Sequence, residues 1–337
     1  MPQRPRTHFA MGEDTFRLLF DEPRLERVRR VADVGEPALI EDFAAPGAAD
    51  ALADIEVLIT SWGAPRLDPA ALARMPRLAA VFHAAGTVRD VMTDAVWQRD
   101  IAVTTAADAN AIPVAEFTYA AIVLATKRTF FHVKTAHKNR RGWFGPDPRI
   151  EYGNLGRTIG VVGFSRTGRR VVEKLRALEG VRILVADPFA DAAKVAAAGA
   201  ELVPLADLLP RVDVLTLHAP ALAATRHMIG RAELAALRDG AVLINTARGS
   251  VLDHDALLAE CRDGRIDAVL DVTEPEPLPA DSPLLTLDNV AVTPHIAGSL
   301  GGEARRLADA AIEELEAFAA GAPARHPVFE GDLGVTA

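Results

Sequence analysis

Three side chains in the second half of the chain have the types and placement for organic-acid chemistry: Arg248, Glu276 and His295. Each follows a short apolar run, at residues 241–246, 266–272 and 289–293 respectively. A guanidinium grips a carboxylate in a two-pronged fork of hydrogen bonds. An imidazole carries a proton near neutral pH, and a carboxylate beside it fixes the tautomer and stabilises the charged ring. Together the set can hold an organic acid and move one proton to or from it. Glu274, two residues before Glu276, competes for the carboxylate role.

Such convergence needs parallel strands. Fully apolar runs of this length read as strands buried on both faces. A helix-patterned stretch at 255–262 separates the first two, so the three are expected to be parallel neighbours. In open parallel sheets ligands sit at the carboxyl ends of the strands, which brings the three side chains to one crevice. Strand-like and helix-like stretches alternate along the whole chain, the mark of an α/β fold. Strands are expected at 7–11, 56–60, 78–83 and 101–105, with a helix at 68–75. A long helix is expected from Pro113, a favourable first-turn residue, to the neighbourhood of Phe131. A chain of 337 residues is long enough for two domains, each with its own core.

Residues 158–168 read as a strand, a tight turn and a helix start. Gly163, Ser165 and Gly168 fall at the three glycine positions of the dinucleotide fingerprint G-x-G-x-x-G. The middle glycine normally lets the backbone approach the pyrophosphate. With Ser165 there, the phosphate is expected to sit further out or to accept a hydrogen bond from the hydroxyl. The helix start at Arg166 and Thr167 still offers N–H groups and a positive dipole end. The run 181–186 ends in Asp187, 19 residues past Gly168. A carboxylate there accepts hydrogen bonds from the adenosine ribose and repels a 2′-phosphate, so NAD(H) is expected over NADP(H). Taken alone, Asp187 also reads as a helix cap.

Four stretches occur in order: Leu243-Ile244-Asn245-Thr246-Ala247-Arg248-Gly249, Leu270-Asp271-Val272, Glu276-Pro277-Leu278-Pro279 and Thr293-Pro294-His295-Ile296-Ala297-Gly298. In these the chain resembles the D-isomer-specific 2-hydroxyacid dehydrogenases, over residues 60–308 and most strongly after Thr158. The resemblance implies an NAD-dependent D-2-hydroxyacid dehydrogenase, or 2-oxoacid reductase. Hydride would pass between nicotinamide C4 and substrate C2, with a His295–Glu276 proton relay and an Arg248 carboxylate clamp. It implies two Rossmann-like or flavodoxin-like domains with parallel sheets and a cleft between them. The NAD-binding domain would span 111–299. The substrate domain would be discontinuous, from 1–110 and 300–337, with the helix at 303–320 returning to it.

Further contacts follow from the same resemblance. His218, Ala219, Pro220 and Thr225 would lie beside the cofactor, largely through backbone groups. Thr246 and Ala247 would offer backbone groups near the nicotinamide, and Asp271 would accept its carboxamide. On the substrate side, His83 would be among the contacts and the N–H groups of Ala85 and Gly86 would hold the substrate, in a loop that departs from the family's glycine-richer text at His83-Ala84. Trp62, in the loop 61–65, walls the pocket or fills a domain core. Arg66 and Arg89 could meet a phosphate, but neither position is diagnostic. Residues 132–157 are expected to form an arm onto a partner subunit, giving a homodimer; the other reading is a surface loop with one buried tryptophan.

Composition narrows the alternatives. A formal charge of −9 argues against nucleic acid or an anionic membrane as partner, since both need clustered Lys and Arg. No uninterrupted apolar run reaches about 18 residues, the length of a membrane span, and no signal-peptide pattern follows Met1–Arg6, so a cytoplasmic location is expected. The single cysteine, Cys261, reads as a buried structural thiol. His132 and His137 are five apart, off a shared helical face, and no metal is expected. A formate-type enzyme would carry Gln where Glu276 stands. Some transcriptional corepressors resemble the same family and keep the Arg, Glu and His, so a dinucleotide-sensing interaction protein is the alternative. Turnover against peptide binding separates the two.

Overall fold

Residues 4–138 and 151–334 are described by a computed structural model, in which the chain divides into two units. One comprises Met1–Asn110 and Ser299–Ala337, the other Ala111–Gly298. The expected arm onto a partner falls largely at 139–150, including Trp143 and Phe144, and these lie outside the described residues.

In the first unit β1 (Arg6–Ala10), β2 (Asp33–Leu39), β3 (Val57–Thr60), β4 (Ala80–His83) and β5 (Ala102–Thr105) form a parallel sheet. Its order, β2-β1-β3-β4-β5, is that of a flavodoxin-like doubly wound sheet. β2 went unread in the sequence because Gly35, Glu36 and Pro37 break any apolar pattern; as an edge strand it tolerates a proline. Apolar side chains cover both faces. Leu58, Val81 and Val103 pack on one side, and Phe9, Ile59 and Phe82 on the other. The second face is covered by the helix Arg305–Ala319 through Leu307, Ile312 and Leu315, which explains the return of the chain to this unit.

In the second unit β6 (Thr158–Val162), β7 (Arg182–Ala186), β8 (Glu201–Leu202), β9 (Val214–Leu217), β10 (Val242–Asn245), β11 (Asp267–Leu270) and β12 (Val290–Val292) form a second parallel sheet. Its order is β12-β11-β10-β9-β6-β7-β8, so the chain starts in the middle, winds outward one way, and reverses between β6 and β9. The three apolar runs of the sequence are β10, β11 and β12, and they are neighbours. Asn245 pairs with Leu270 and Leu270 with Val292, so the three strand ends are level. Cys261 is buried in this unit's core, and burial pushes its thiol up to about 12, which leaves it inert at neutral pH.

The long helix differs from expectation. It runs Ala107–Thr126, with Pro113 inside it rather than at its start. Residues 107–112 are helix-compatible, and the proline only leaves the Ala109 carbonyl without its usual N–H partner. Arg128, with φ of +56°, ends the run before a new helix, Thr129–Lys138. By length and composition Ala107–Thr126 matches a membrane span, yet Ala115, Ala121, Ile122 and Ala125 are buried in the core of the second unit.

Candidate active site

The loops after β10, β11 and β12 carry Arg248, Glu276 and His295, and each is shaped by a buried polar residue. After β10, Asn245 is fully buried; its Oδ1 accepts the Ala247 N–H at 3.0 Å and its Nδ2 donates to the Arg248 carbonyl at 3.0 Å. That turn leaves the Arg248 side chain exposed. Gly249 follows because nothing larger fits. A Cβ there would lie 2.0 Å from the Thr273 carbonyl oxygen, so the Arg248 turn rests directly on the loop that carries Glu276. Neither Asn245 nor Gly249 was assigned a role from the sequence. A buried-type polar residue ending an apolar strand, and a glycine next to a candidate clamp, were the available signals.

His295 Nδ1 lies 2.5 Å from Glu276 Oε1, and both side chains are about half-exposed, at 48% and 40%. Glu274 is turned elsewhere: its carboxylate meets Arg226 Nη1 at 2.8 Å and His227 Nε2 at 3.4 Å. Of the two candidate acids, the structure therefore brings Glu276 to the histidine. His295 has φ of +53°, a left-handed conformation uncommon away from glycine, and such outliers concentrate at functional sites.

Asp271 holds that conformation. It is 2% exposed, and its Oδ1 accepts from the Thr293 hydroxyl at 2.6 Å and the Ile296 N–H at 2.8 Å. Its Oδ2 accepts from the Ala297 N–H at 2.9 Å. Three protein donors thus already offset the burial of this carboxylate without a ligand.

The glycine loop has the shape a dinucleotide needs. Gly163 has φ of +94°, and a Cβ on it would come within 2.7 Å of the His218–Ala219 backbone. A Cβ on Gly168 would lie 2.0 Å from the Gly163 oxygen, so strand end and helix start are in backbone contact. Ser165 is the N-cap of the helix Arg166–Leu175, its Oγ accepting from the Gly168 N–H at 3.3 Å. The hydroxyl hydrogen stays available to a phosphate, while the Gly168 N–H is taken. The helix start at Arg166 and Thr167 retains the anion-binding character of any helix N-terminus. Asp187 accepts the Phe164 N–H on Oδ2 at 2.8 Å and the Phe189 N–H on Oδ1 at 2.9 Å. It ties the glycine loop to the end of β7, and each oxygen keeps a lone pair for a ribose hydroxyl. These residues fit a dinucleotide.

The other expected cofactor residues are mostly committed within the protein. The His218 imidazole is buried against Thr216, with Nε2 3.0 Å from its Oγ1, and burial pushes its pKa down to about 3. Ala219 and Pro220 follow it at the end of β9, where the His218–Ala219 backbone borders Gly163. Thr225 donates to the Pro220 carbonyl at 2.5 Å and accepts the Leu222 N–H at 2.9 Å, closing its own turn. Thr246 Oγ1 lies 2.8 Å from Thr118 Oγ1, and Ala247 belongs to the Asn245 turn.

In the first unit, Trp62 is 41% exposed, so of its two readings the core-filling one is overturned. Its turn is fixed through its carbonyl, which accepts the Gly12 N–H at 3.1 Å. His83 is the opposite case. It was expected among the substrate contacts, but its side chain is 3% exposed, its Nδ1 lies 2.9 Å from Thr60 Oγ1, and burial pushes its pKa down to about 4. Ala85 is buried too, its carbonyl accepting from Thr105 Oγ1 at 3.0 Å, and the Gly86 carbonyl accepts from the same hydroxyl at 2.5 Å. Arg89 donates to the Leu333 carbonyl.

Strand order, glycine loop and acid at the second strand define a dinucleotide-binding α/β protein. Residues 120–297 match the model of the D-isomer specific 2-hydroxyacid dehydrogenase NAD binding domain, and the chain belongs to that family. It is 32% identical over 302 residues to a D-3-phosphoglycerate dehydrogenase of Methanocaldococcus jannaschii, an alignment covering 88% of this chain and 56% of that one. The chain thus spans about half the length of that relative and of its Archaeoglobus fulgidus counterpart. Two solved structures show the same fold. An NADPH-dependent glyoxylate/hydroxypyruvate reductase from Sinorhizobium meliloti, in complex with NADP and malonate, has a TM-score of 0.73 at 26% identity, covering 97% of each chain. A D-lactate dehydrogenase from Aquifex aeolicus, complexed with NAD and lactic acid, has a TM-score of 0.69 at 27% identity, covering 94% of this chain and 95% of that one.

Proposed function

We propose that the protein is an NADH-dependent 2-oxoacid reductase, acting in reverse as a D-2-hydroxyacid dehydrogenase. The observation that carries this reading is the 2.5 Å contact between His295 Nδ1 and Glu276 Oε1. When bound, the reduced nicotinamide supplies the hydride that reaches substrate C2. Arg248 grips the substrate carboxylate and draws electron density from the neighbouring carbonyl. His295, its Nδ1 proton held by Glu276, donates the Nε2 proton to the carbonyl oxygen as C2 becomes tetrahedral. Glu276 stabilises the imidazolium before transfer and keeps the ring in one tautomer afterwards. The product is a 2-hydroxy acid, and one proton is consumed per turnover.

Gly163, Ser165, the helix start at Arg166 and Thr167, and Gly168 would hold the pyrophosphate. Asp187 would take the ribose and disfavour a 2′-phosphate. The relatives differ on this point, one being solved with NADP and another with NAD, so the preference for NADH rests on Asp187. Thr246, Ala247 and the His218–Pro220 segment would contribute backbone groups. On the substrate side we assign the Trp62 indole and the N–H groups of Ala85 and Gly86, with His83 supporting that loop from inside. A homodimer is the expected active form.

The test is NADH and NADPH oxidation with a panel of 2-oxo acids, run beside His295→Ala. Expected is wild-type turnover favouring NADH, and a fall of roughly 10²–10⁴ in the variant with NADH binding kept. No turnover with any acid, together with tight binding of a short peptide, would replace the enzyme by a dinucleotide-sensing interaction protein.

A further inference from the structure

We propose that Arg226 and Glu274 are positioning residues, whose ion pair sets the Arg248 turn and Glu276 at a fixed spacing. The inference rests on the catalytic reading above. Three segments meet here. The 226–229 segment is bonded to the chain just after Arg248, through His227 N–H to the Ser250 carbonyl at 2.8 Å and Ile229 N–H to the Val251 carbonyl at 3.1 Å. The Arg248–Gly249 turn lies against Thr273 and Glu274 so closely that a Cβ on Gly249 would sit 2.6 Å from the Glu274 nitrogen. The ring is closed by Glu274, whose two oxygens meet Arg226 Nη1 at 2.8 Å and His227 Nε2 at 3.4 Å.

Within the loop the two acids face apart. Thr273 Oγ1 donates to the Pro275 carbonyl at 2.8 Å, and the chain then presents Glu274 to Arg226 and Glu276 to His295. Rotating the loop to release one carboxylate disturbs the other. His227, like His295, has a positive φ, +50°, so each acid of this loop meets a histidine whose backbone conformation is imposed by its surroundings. The guanidinium of Arg226 holds the Glu274 carboxyl below its ordinary range, so the pair stays charged at neutral pH. Arg226 is 56% exposed and Glu274 37%, and exposed pairs of this kind add little to stability. What the pair adds is geometry.

The experiment compares wild type with Glu274→Gln, Arg226→Met and the reversed pair Arg226→Glu/Glu274→Arg. Glu201→Gln serves as control, since it breaks an equally exposed pair, Arg182–Glu201 at 2.6 Å, on the β7–β8 edge. Turnover, NADH Kd and Tm are measured, and ¹⁵N NMR of labelled histidine reads the His295 tautomer. Each single variant is expected to lose roughly 10–100-fold in kcat, the reach of a small misplacement, with NADH Kd and Tm unchanged. The His295 signal should move from the Nδ1–H form toward the Nε2–H form. The reversed pair should recover most of the lost kcat, and Glu201→Gln should lose none. Wild-type kcat and tautomer in both single variants would overturn the proposal. If wild type turns over no 2-oxo acid, the functional reading falls, and the tautomer shift alone decides the positioning role.

Discussion

The backbone carbonyl of Asp271 accepts the His295 N–H at 2.9 Å, and the Asp271 carboxylate takes the next two N–H groups, those of Ile296 and Ala297. One buried residue thereby fixes three consecutive backbone donors, the last two through its side chain, and aims the imidazole. Asp271→Asn should break this, because its amide turns a donor toward a donor. A stranded N–H of this kind costs about 1–3 kcal/mol. Urea unfolding should show a loss of that order, with turnover falling further than the remaining folded fraction explains. A variant as stable as wild type would show that the loop is held elsewhere.

Arg248→Lys keeps the charge and loses the fork. Hydrogen bonds to charged groups contribute about 1.5–3 kcal/mol. A loss of roughly 10–100-fold in kcat/KM is expected, shared between KM and kcat. Steady-state kinetics indistinguishable from wild type would place the carboxylate clamp on another residue.

Ser165 separates helix capping from phosphate binding. Ser165→Ala should destabilise by about 0.5–2 kcal/mol through loss of the cap and should weaken NADH binding as well. Ser165→Gly costs only a few tenths of a kcal/mol in capping, and it frees the Gly168 N–H. Calorimetric titration should find it binding NADH at least as tightly as wild type. Weaker binding by the glycine variant would mean that the hydroxyl itself carries the phosphate contact.

Acid should destabilise the fold well before carboxylates protonate. Burial lowers the pKa of His83 to about 4 and of His218 to about 3, from an ordinary 6.5. His8 and His254 shift in the same direction. Below pH 6.5 the unfolded chain binds protons at the His83 and His218 rings, and the folded chain does not until the pH nears their lowered values. Stability is therefore full above that value and is lost as pH falls toward the folded pKa values. The slope is about 1.4 kcal/mol per pH unit for each such group. Urea midpoints between pH 8 and 4.5 should trace this decline, and His83→Gln should flatten it by one group. A level profile would mean that these rings take up protons while folded.

The strands of both sheets that are buried on two faces were readable because their apolar runs are too short for a buried helix and end in turn residues. β2 was not, since an edge strand with Gly35, Glu36 and Pro37 is set by its neighbour β1 rather than by its own pattern. The start of the long helix was misplaced for a related reason, as Pro113 marks a helix start only where tertiary packing allows no earlier turn. In the second unit, the pairing of Glu276 with His295 followed from spacing and motif. The partners of Asp271, Thr225 and Thr246 did not, because a side chain's hydrogen bonds depend on loops whose paths no periodicity encodes. His83 shows the limit most plainly: its place in a loop-like motif said nothing of the Thr60 hydroxyl waiting inside the sheet.

Ser299 donates its N–H to the Asn110 side chain at 3.0 Å. Everything from Ala111 to Gly298 therefore leaves and re-enters the first unit at a single seam. In the language of gene architecture, the dinucleotide unit is a cassette spliced into a host whose five strands are complete without it. A short turn joining Asn110 to Ser299 would close that host into one continuous polypeptide. The same seam would accept another cassette, so that cofactor chemistry could be exchanged by recombination while the host kept its strand order.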